Sequence, residues 1–563
     1  MSEASAQVAP ARRPRADFPR LLWLLLALGL ALRLVFALLP LEQLLILLPD
    51  DAWMVTAIAR NFALGRGITA DGLNPTNGFH PLYPLTLGAI PYLLAPQALD
   101  AGFRVNLILC ALLSAAATVP LFRLTRRFAG EGGALLAAAL YALNPTMARV
   151  TVNAMETSLG LLLLLLLAER FLAVDRRRWP AALSLGLLAG AAGLARLDNW
   201  LLAALLGLAL LWELIRRRAS FASIAAYGLG LALLAVPYFA WNYFVFGSLG
   251  PSSGRALAYM HSYAGSFSLT NILPFVYLNP ALYLGFLPSP LLALAVGLVW
   301  LAAYFWALPR DIHRPLLPMA GFALLQLLYY AYLQQHANPR YFVAPAALFC
   351  LLLGCLYGRV ERAVRPAFRL ALPIATLLLA LGLNSYEAIR TYRHDTTMPE
   401  LTQPAIYQAA LWVRDNLPGD ALLAAKNSGI LQYYSGHVVL NIDGKLNAEI
   451  VPVLERRQLL SYLRSKGVRY LVDREAAIAQ HLTLYSQEFG PWPAHQEVSL
   501  GQRLRIYGQL LLNRFGLGAL PALDDPAGFR PSHPFTDVVD PLQTFPRPNV
   551  AGDPVAVFRL REP

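Results

Sequence analysis

The chain has 563 residues, of which 57% are hydrophobic and 14% are charged, and its mean hydropathy is +0.49. Soluble domains carry roughly 25% charged residues, so this composition excludes an ordinary soluble protein and indicates a membrane protein. The net charge of +13 does not indicate a nucleic-acid partner, because the basic residues lie in short clusters between apolar runs, as in the cytoplasmic loops of membrane proteins. The cysteines Cys110, Cys350 and Cys355 lie inside apolar segments and predict neither a disulfide framework nor a zinc site.

The N-terminal tail, residues 1–20, contains four arginines and precedes an apolar run without a small-residue cleavage site, so we predict a retained first span. Because a spanning helix needs about 20 apolar residues, eleven spans are predicted. A further apolar piece at 82–95 is short and proline-rich, and we expect it to be interfacial or re-entrant. The predicted spans are 21–39, 103–122, 132–150, 157–173, 180–197, 200–215, 222–246, 286–308, 316–334, 341–358 and 369–388.

The arginine clusters between these segments orient the chain. If the N-terminus is cytoplasmic, the clusters near 123–127, 176–178, 216–218, 310–314 and 359–369 all fall inside, which satisfies the positive-inside rule. The transmembrane part is then 21–388, with a first outside loop at 40–102. The domain at 389–563 is extracytoplasmic.

The C-terminal domain is predicted to be a small α/β domain. Helical patterns at 406–417 and 454–465 alternate with strand patterns at 421–425, 437–442 and 467–472. From about 515 the chain is rich in Pro, Asp and Gly, and we expect irregular coil there.

Two adjacent carboxylates, Asp50 and Asp51, open the first outside loop. Carboxylates beside a membrane span are costly unless they serve a polar cavity. One of them could act as a general base on an acceptor hydroxyl, or the two could share a divalent cation such as Mg²⁺ or Mn²⁺. They could also simply cap the helix that follows.

Further polar residues fall on the same side of the membrane by this topology. Singly, each is explained by snorkelling or by a salt bridge between helices. Together they suit a site where arginines bind a phosphate bidentately while a carboxylate acts as a base. The candidates for binding the phosphate or sugar of a donor are Arg60, His80, Glu156, Arg196, Asp198, His336, Arg340 and Tyr341.

Several of these motifs resemble those of the GT-C glycosyltransferases, a superfamily that holds the protein O-mannosyltransferases, the lipid A aminoarabinose transferase and the mycobacterial arabinofuranosyltransferases. The resemblance covers the architecture of the whole chain, and specific motifs in about a sixth of it. The matching segments are Asp50-Asp51, Arg60-Asn61, Gly65-Arg66-Gly67, Gly78-Phe79-His80-Pro81-Leu82, Asn153-Ala154-Met155-Glu156-Thr157, Arg340-Tyr341-Phe342 and Asn441-Ile442-Asp443-Gly444-Lys445-Leu446-Asn447.

The resemblance implies an inverting transfer of a monosaccharide from a polyprenyl-phosphate carrier to a glycan, lipid or protein acceptor, in the bacterial inner membrane. By position it makes Asp50 the first choice as base and Asp51 the second. A divalent cation is permitted but not required. The chain lacks the Asp-x-Asp and Trp-Trp-Asp signatures of the oligosaccharyltransferases, which disfavours transfer of a preassembled glycan.

The C-terminal domain is expected to be an acceptor platform or a lid, with Tyr433, Tyr434 and Lys445 as its contacts. Two alternatives to the glycosyltransferase remain. A non-catalytic lipid or solute transporter would usually show paired halves, which this chain lacks. A phospholipid headgroup transferase would need its own nucleophile or metal ligands in the soluble domain, and His437, His481 and His495 have no metal-like spacing.

Overall fold

A computed structural model describes residues 19–175, 177–262, 308, 310–333, 339–363, 402–490, 534–547 and 552–562, with residues 371, 373–378, 381–382, 385 and 389. The predicted span at 286–308 and much of that at 369–388 fall outside these residues, as does His336. The predicted boundary between residues 388 and 389 therefore stays a prediction.

Helices dominate the described chain up to residue 363, as expected in lipid, where a helix satisfies its own backbone hydrogen bonds. In chain order they are α1 Arg20–Ala37, α2 Leu41–Leu47, α3 Asp51–Ala63, α4 Ile90–Leu94, α5 Leu99–Ala116, α6 Thr118–Ala142, α7 Pro145–Thr151, α8 Thr157–Ala173, α9 Trp179–Ala195, α10 Trp200–Ile215, α11 Phe221–Phe246, α12 Ser252–Ser262, α13 Arg310–Leu333 and α14 Val343–Ala363.

Five segments of the described chain are long and apolar enough to cross a membrane, judged by length and composition: Arg20–Ala37, Leu99–Ala142, Leu197–Ile215, Phe221–Phe246 and Arg340–Glu361. The chain is thus a polytopic helical membrane protein, as predicted, while the number of eleven spans stays a prediction. The piece at 82–95 holds a 3₁₀ helix, Leu87–Ala89, followed by the five-residue helix α4, and together they are far too short to span.

The predicted span at 132–150 is wrong, because the chain breaks within it. Helix α6 ends at Ala142, and the Asn144 side chain accepts a hydrogen bond from the Met147 amide at 3.0 Å to start α7, with Pro145 in its first turn. Asparagine at the cap and proline at the first position are strong start signals. Helix α6 follows α5 directly and has a non-helical backbone at Gly130 (φ +74°, ψ −170°), between the predicted spans 103–122 and 132–150.

The C-terminal domain has one five-stranded sheet, in the order β2-β1-β3-β5-β4. Strands β1 and β2, and β1 and β3, are parallel, and β5 runs antiparallel to both β3 and β4. The elements are α15 Thr402–Asn416, β1 Leu423–Ala425, α16 Gly429–Tyr434, β2 Val439–Asn441, α17 Ile450–Glu455, α18 Leu459–Ser465, β3 Tyr470–Arg474, α19 Glu475–Tyr485, β4 Val539–Phe545 and β5 Val555–Leu560.

The expected irregular coil after residue 515 is wrong for the two terminal strands. Strand β5, Val-Ala-Val-Phe-Arg-Leu, lies beside β3, with Leu471 opposite Phe558. Its valines and its phenylalanine have high strand propensity, and they are buried between neighbours, which outweighs the surrounding Pro and Gly. The predicted helix at 454–465 is likewise two helices, separated at residues 456–458.

One apolar core joins the membrane part to the C-terminal domain. Helix α16 lies directly on α3, where a Cβ added at Gly429 would sit 2.3 Å from the Asp50 carbonyl oxygen. Continuous burial of this kind indicates a packed interface between the two parts. The shared core includes Ala37, Leu44, Trp53, Tyr83, Phe103, Ile406, Leu423, Ile430, Tyr433, Val472 and Val557.

Candidate active site

The two adjacent aspartates of the first outside loop point to different partners. Asp50 makes no capping hydrogen bond to its own helix, α3. Its carboxylate instead accepts the backbone N–H groups of Gly429 at 2.8 Å and Ile430 at 3.0 Å, at the start of α16. Asp50 is 5% exposed, and both of its oxygens are used in this contact. It links the membrane part to the C-terminal domain.

Burial raises the pKa of Asp50 to about 7, against the opposing effect of the two backbone donors. We therefore expect the melting temperature of the wild-type protein to fall relative to that of Asp50→Asn as the pH rises from about 4 to 7. A carboxyl whose folded pKa is raised contributes stability that is present below its unfolded pKa, near 3.9, and lost as the pH rises through its folded pKa. Asparagine does not titrate in this range. Thermal unfolding in detergent across this range measures the difference, and parallel profiles for the two proteins would contradict it.

Asp51 faces a pair of cations that come from the two parts of the protein. Arg340, from the turn before α14, donates Nη2–H to Asp51 Oδ2, and Lys445 Nζ lies 3.6 Å from Asp51 Oδ1. The Asp51 side chain is 26% exposed, more than that of Asp50. Burial alone would raise the pKa of Asp51, but Lys445 and Arg340 outweigh it and hold that pKa well below its ordinary value. Asp51 is therefore ionised at neutral pH.

Lys445 reaches Asp51 because the loop after β2 is pressed against the first outside loop. The Lys445 carbonyl oxygen would lie 1.6 Å from a Cβ added at Gly78, so only glycine allows this approach. Ser252 Oγ donates to the same carbonyl at 3.1 Å, and the Ser252 amide donates to Asn77 Oδ1 at 3.0 Å. Within its own loop, Lys445 Nζ lies 3.5 Å from Asp443 Oδ2, which helps to fix the ammonium.

A second group of charges lies beside this pair. Arg196 donates Nη1–H to Glu156 Oε1 at 3.1 Å, and it binds both oxygens of Asp198 at 3.1 and 3.0 Å. His80 Nδ1 accepts the backbone N–H of Leu197 at 3.0 Å, so its neutral ring carries the proton on Nε2, which lies 3.7 Å from Glu156 Oε1. Burial lowers the pKa of His80, which keeps the ring neutral at pH 7.

The Tyr341 ring connects the two groups. The guanidinium carbon of Arg340 lies 5.2 Å from its centroid, and that of Arg196 lies 5.9 Å from it. Arg196 can lie flat across α8 because position 160 is glycine, where a Cβ would approach the arginine side chain to 2.4 Å. The structure thus brings seven predicted residues into one cluster, together with Lys445. The seven are Asp51, His80, Glu156, Arg196, Asp198, Arg340 and Tyr341.

Besides Asp50, four predicted residues lie elsewhere or are not described. Arg60, about 13 Å along α3 from Asp51, donates to the Pro96 carbonyl at 3.2 Å. Tyr433 and Tyr434 are 2% and 6% exposed, and their hydroxyls bind the Leu99 carbonyl and the Asp100 carboxylate. Contrary to expectation, these tyrosines anchor the interface between the two parts instead of facing an acceptor. His336 lies outside the described residues.

The sequence interpretation missed Gln326, in α13. Its Nε2 donates to Asp198 Oδ2 at 2.6 Å and to the Tyr341 carbonyl at 2.9 Å. A single glutamine in an otherwise apolar part of the predicted span 316–334 was the available signal, because polar residues in spans are rare and usually face the inside of the bundle.

A divalent cation shared by Asp50 and Asp51 does not fit this geometry. The Asp50 oxygens accept two backbone N–H groups, and the Asp51 oxygens face two positively charged side chains. A third cation between them would be repelled by Arg340 and Lys445. Among the described residues, no group of three or more His, Cys, Asp and Glu is arranged to hold a metal.

Two family models match separate parts of the chain. The family model described as dolichyl-phosphate-mannose-protein mannosyltransferase matches residues 95–241, and the domain of unknown function DUF8728 matches residues 391–507. ArnT from Cupriavidus metallidurans, solved bound to undecaprenyl phosphate, superposes with a TM-score of 0.53 at 15% identity, over 81% of this chain and 93% of that chain. The chain has the GT-C fold.

Two further structures support the GT-C fold. The oligosaccharyltransferase of Archaeoglobus fulgidus in its apo form gives a TM-score of 0.54 at 14% identity, over 83% of this chain and 71% of that one. Its complex with Zn and sulfate gives 0.53 at 14% identity, over 83% and 70%. A search of curated proteins found no match to this sequence. Apart from the two family-model matches, the similarity is therefore one of fold.

Proposed function

We propose that this protein is an inverting glycosyltransferase that moves a monosaccharide from a polyprenyl-phosphate carrier to a hydroxyl of an envelope glycan, lipid or protein. We place it in the bacterial inner membrane, with its N-terminus in the cytoplasm and its C-terminal domain outside. The observation that carries the proposal is the placement of Asp51 between Arg340 and Lys445, in a fold shared with an enzyme solved with undecaprenyl phosphate.

The two cations suit the phosphate of the carrier. Arginine can bind a phosphate bidentately, while lysine acts as a compact point charge. Arg340 comes from the membrane part and Lys445 from the C-terminal domain, so a phosphate bound by both would be held by both parts of the protein. In the structure both cations contact the Asp51 carboxylate, which is the anion that a donor phosphate would have to compete with.

Asp51 is the better-supported base, which reverses the order favoured by the sequence. Asp50 is buried and uses both oxygens to accept backbone N–H groups, whereas Asp51 is the more exposed of the two. A base must come within hydrogen-bond reach of the proton that it removes. The contacts of Asp50 leave it a structural role between the two parts of the protein.

In the proposed reaction, the acceptor oxygen attacks the anomeric carbon while Asp51 takes the hydroxyl proton. The bond from the anomeric carbon to the phosphate oxygen breaks, and its electron pair leaves with the polyprenyl phosphate. Arg340 and Lys445 stabilise the charge that develops on this leaving group. Attack opposite to the leaving phosphate inverts the configuration at the anomeric carbon.

The ion pairs also couple the base to the donor. With both cations directed at Asp51, its pKa is low and it is a weak base. A donor phosphate that draws Arg340 and Lys445 towards itself removes part of this effect, so the pKa of Asp51 rises. The carboxylate then becomes a stronger base only when the donor is bound.

We expect Arg340→Ala to weaken binding of undecaprenyl phosphate about 10- to 100-fold, because a hydrogen bond to a charged group contributes about 1.5–3 kcal/mol. Native mass spectrometry of the purified protein with added undecaprenyl phosphate measures this affinity. The matched control is Arg255→Ala in α12, whose guanidinium makes an exposed ion pair with Glu455 at 3.4 Å and should not affect binding. If the wild-type protein does not bind undecaprenyl phosphate, the proposed function is wrong, and a transporter or headgroup transferase takes its place.

A further inference from the structure

Gln326 carries a buried hydrogen-bond acceptor that the proposed reaction does not use. The side chain is 1% exposed, and within the described part of the chain its Oε1 has no hydrogen-bond partner. Its Nε2, in contrast, donates to both the Asp198 carboxylate and the Tyr341 carbonyl. Buried polar atoms in native proteins are almost always paired, so an unpaired one next to a candidate site points to a ligand group as its partner.

The orientation of the Gln326 amide is fixed by its neighbours. Rotating the amide by 180° would place Oε1 against two acceptors, Asp198 Oδ2 at 2.6 Å and the Tyr341 carbonyl at 2.9 Å. Neither can donate a hydrogen bond to it, since a carboxylate and a carbonyl are acceptors only. The unpaired atom is therefore the oxygen, and its partner must be a hydrogen-bond donor.

The surroundings select the chemistry of that donor. The neighbouring Asp198 and Glu156 are acidic, and the Arg196 guanidinium is already bound to both of them. A phosphate needs donors and would be repelled by these two carboxylates, whereas Arg340 and Lys445 offer it donors beside Asp51. The group that fits is neutral or positive and carries O–H or N–H, as the hydroxyl or amino groups of a sugar do.

We propose that Gln326 Oε1 accepts a hydrogen bond from a hydroxyl or amino group of the sugar that is transferred, and that Gln326 thereby helps to determine which sugar the enzyme accepts. The proposal rests on the proposed function and adds a sugar-binding residue to it. A site built to pair with a substrate O–H or N–H discriminates strongly against an analogue that lacks it, because its own polar group then stays unpaired.

The test is Gln326→Met, which keeps a similar length but removes the acceptor. Transfer is measured with undecaprenyl phosphate carrying a pentose, a hexose or an amino sugar, and binding is measured with undecaprenyl phosphate alone. We expect kcat/KM for the best sugar donor to fall about 10- to 100-fold. The affinity for undecaprenyl phosphate should stay within about twofold of the wild-type value, since the phosphate does not contact this end of the site.

The control is Gln432→Met in α16. Gln432 also donates Nε2–H to a backbone carbonyl, that of Val439 at 2.9 Å, and also has a buried unpaired Oε1, but its hydrogen-bond partner belongs to the C-terminal domain and not to the cluster. This variant tests whether the loss of a glutamine with a buried unpaired oxygen affects only the stability of the protein. We expect Gln432→Met to keep wild-type kcat/KM.

Donors that each lack one sugar hydroxyl or amino group identify the partner. The analogue lacking the group that pairs with Gln326 should react equally slowly with the wild type and with Gln326→Met, while the other analogues lose rate additively. Additive loss for every analogue, or wild-type transfer by Gln326→Met, would overturn the assignment. The assignment would also be overturned if Gln326→Met lost binding of undecaprenyl phosphate while Gln432→Met kept it. Absence of binding and transfer in the wild type would overturn the proposed function itself.

Discussion

Asp51→Asn should lower the transfer rate about 10³-fold while leaving the protein folded and able to bind undecaprenyl phosphate. The substitution removes the only proposed proton acceptor, and general base catalysis typically contributes about 10²- to 10⁴-fold. Asparagine keeps the size of the side chain and can still accept a hydrogen bond from Arg340. Single-turnover transfer from an undecaprenyl-phosphate sugar, with native mass spectrometry of lipid binding, separates loss of chemistry from loss of binding.

The adjacent Asp50→Asn is the natural comparison. It replaces one of two oxygens that accept backbone N–H groups with an NH₂ group that cannot, so one amide of α16 is left unpaired. A buried unpaired donor costs about 1–3 kcal/mol, so we expect lower stability with transfer much better preserved than in Asp51→Asn. Full activity in Asp51→Asn with inactive, folded Asp50→Asn would exchange the two roles. Activity in both would exclude a carboxylate base in this loop.

Much of the architecture could be predicted from the sequence because it depends on composition and periodicity. The apolar runs and arginine clusters predicted a polytopic membrane protein, and the alternating patterns after residue 400 predicted an α/β domain, and both are confirmed. The predictions that failed concern local breaks in helices, such as that at Asn144, and the two terminal strands. A strand that completes a sheet depends on a distant partner, here β3, which a local pattern does not reveal.

The site was predicted as a set of residues but not as a geometry. Motifs predicted to lie on one membrane face did bring Asp51, Glu156, Arg196, Asp198 and Arg340 together. The different surroundings of the two adjacent aspartates could not be predicted, because they follow from where α16 packs on α3. Spacing along the chain places both carboxylates at the same end of a helix, whereas contacts between the two parts decide that one is buried and the other faces the cations.

Gly78→Ala should lower transfer about 10²-fold without unfolding the protein, because it moves Lys445 away from Asp51. An alanine Cβ at this position would overlap the Lys445 carbonyl oxygen, which is backbone and cannot rotate aside, so the loop after β2 must shift. Misplacement of a site residue by about 1 Å can cost about 10²-fold in rate. Because Lys445 is proposed to bind the donor phosphate, affinity for undecaprenyl phosphate should fall together with the rate.

Gly250→Ala provides the control for this substitution. Gly250 lies in the same region, where its carbonyl accepts a hydrogen bond from Asn77 at 3.4 Å, but a Cβ there would meet no atom within 4 Å. We expect it to keep wild-type transfer and binding, so a difference between the two variants isolates the approach of the Lys445 loop. If Gly78→Ala kept both rate and affinity, the C-terminal domain would contribute no group to the phosphate site, and Arg340 alone would remain. A drop in Gly78→Ala that Lys445→Ala does not deepen further would instead identify Lys445 as the group that the glycine positions.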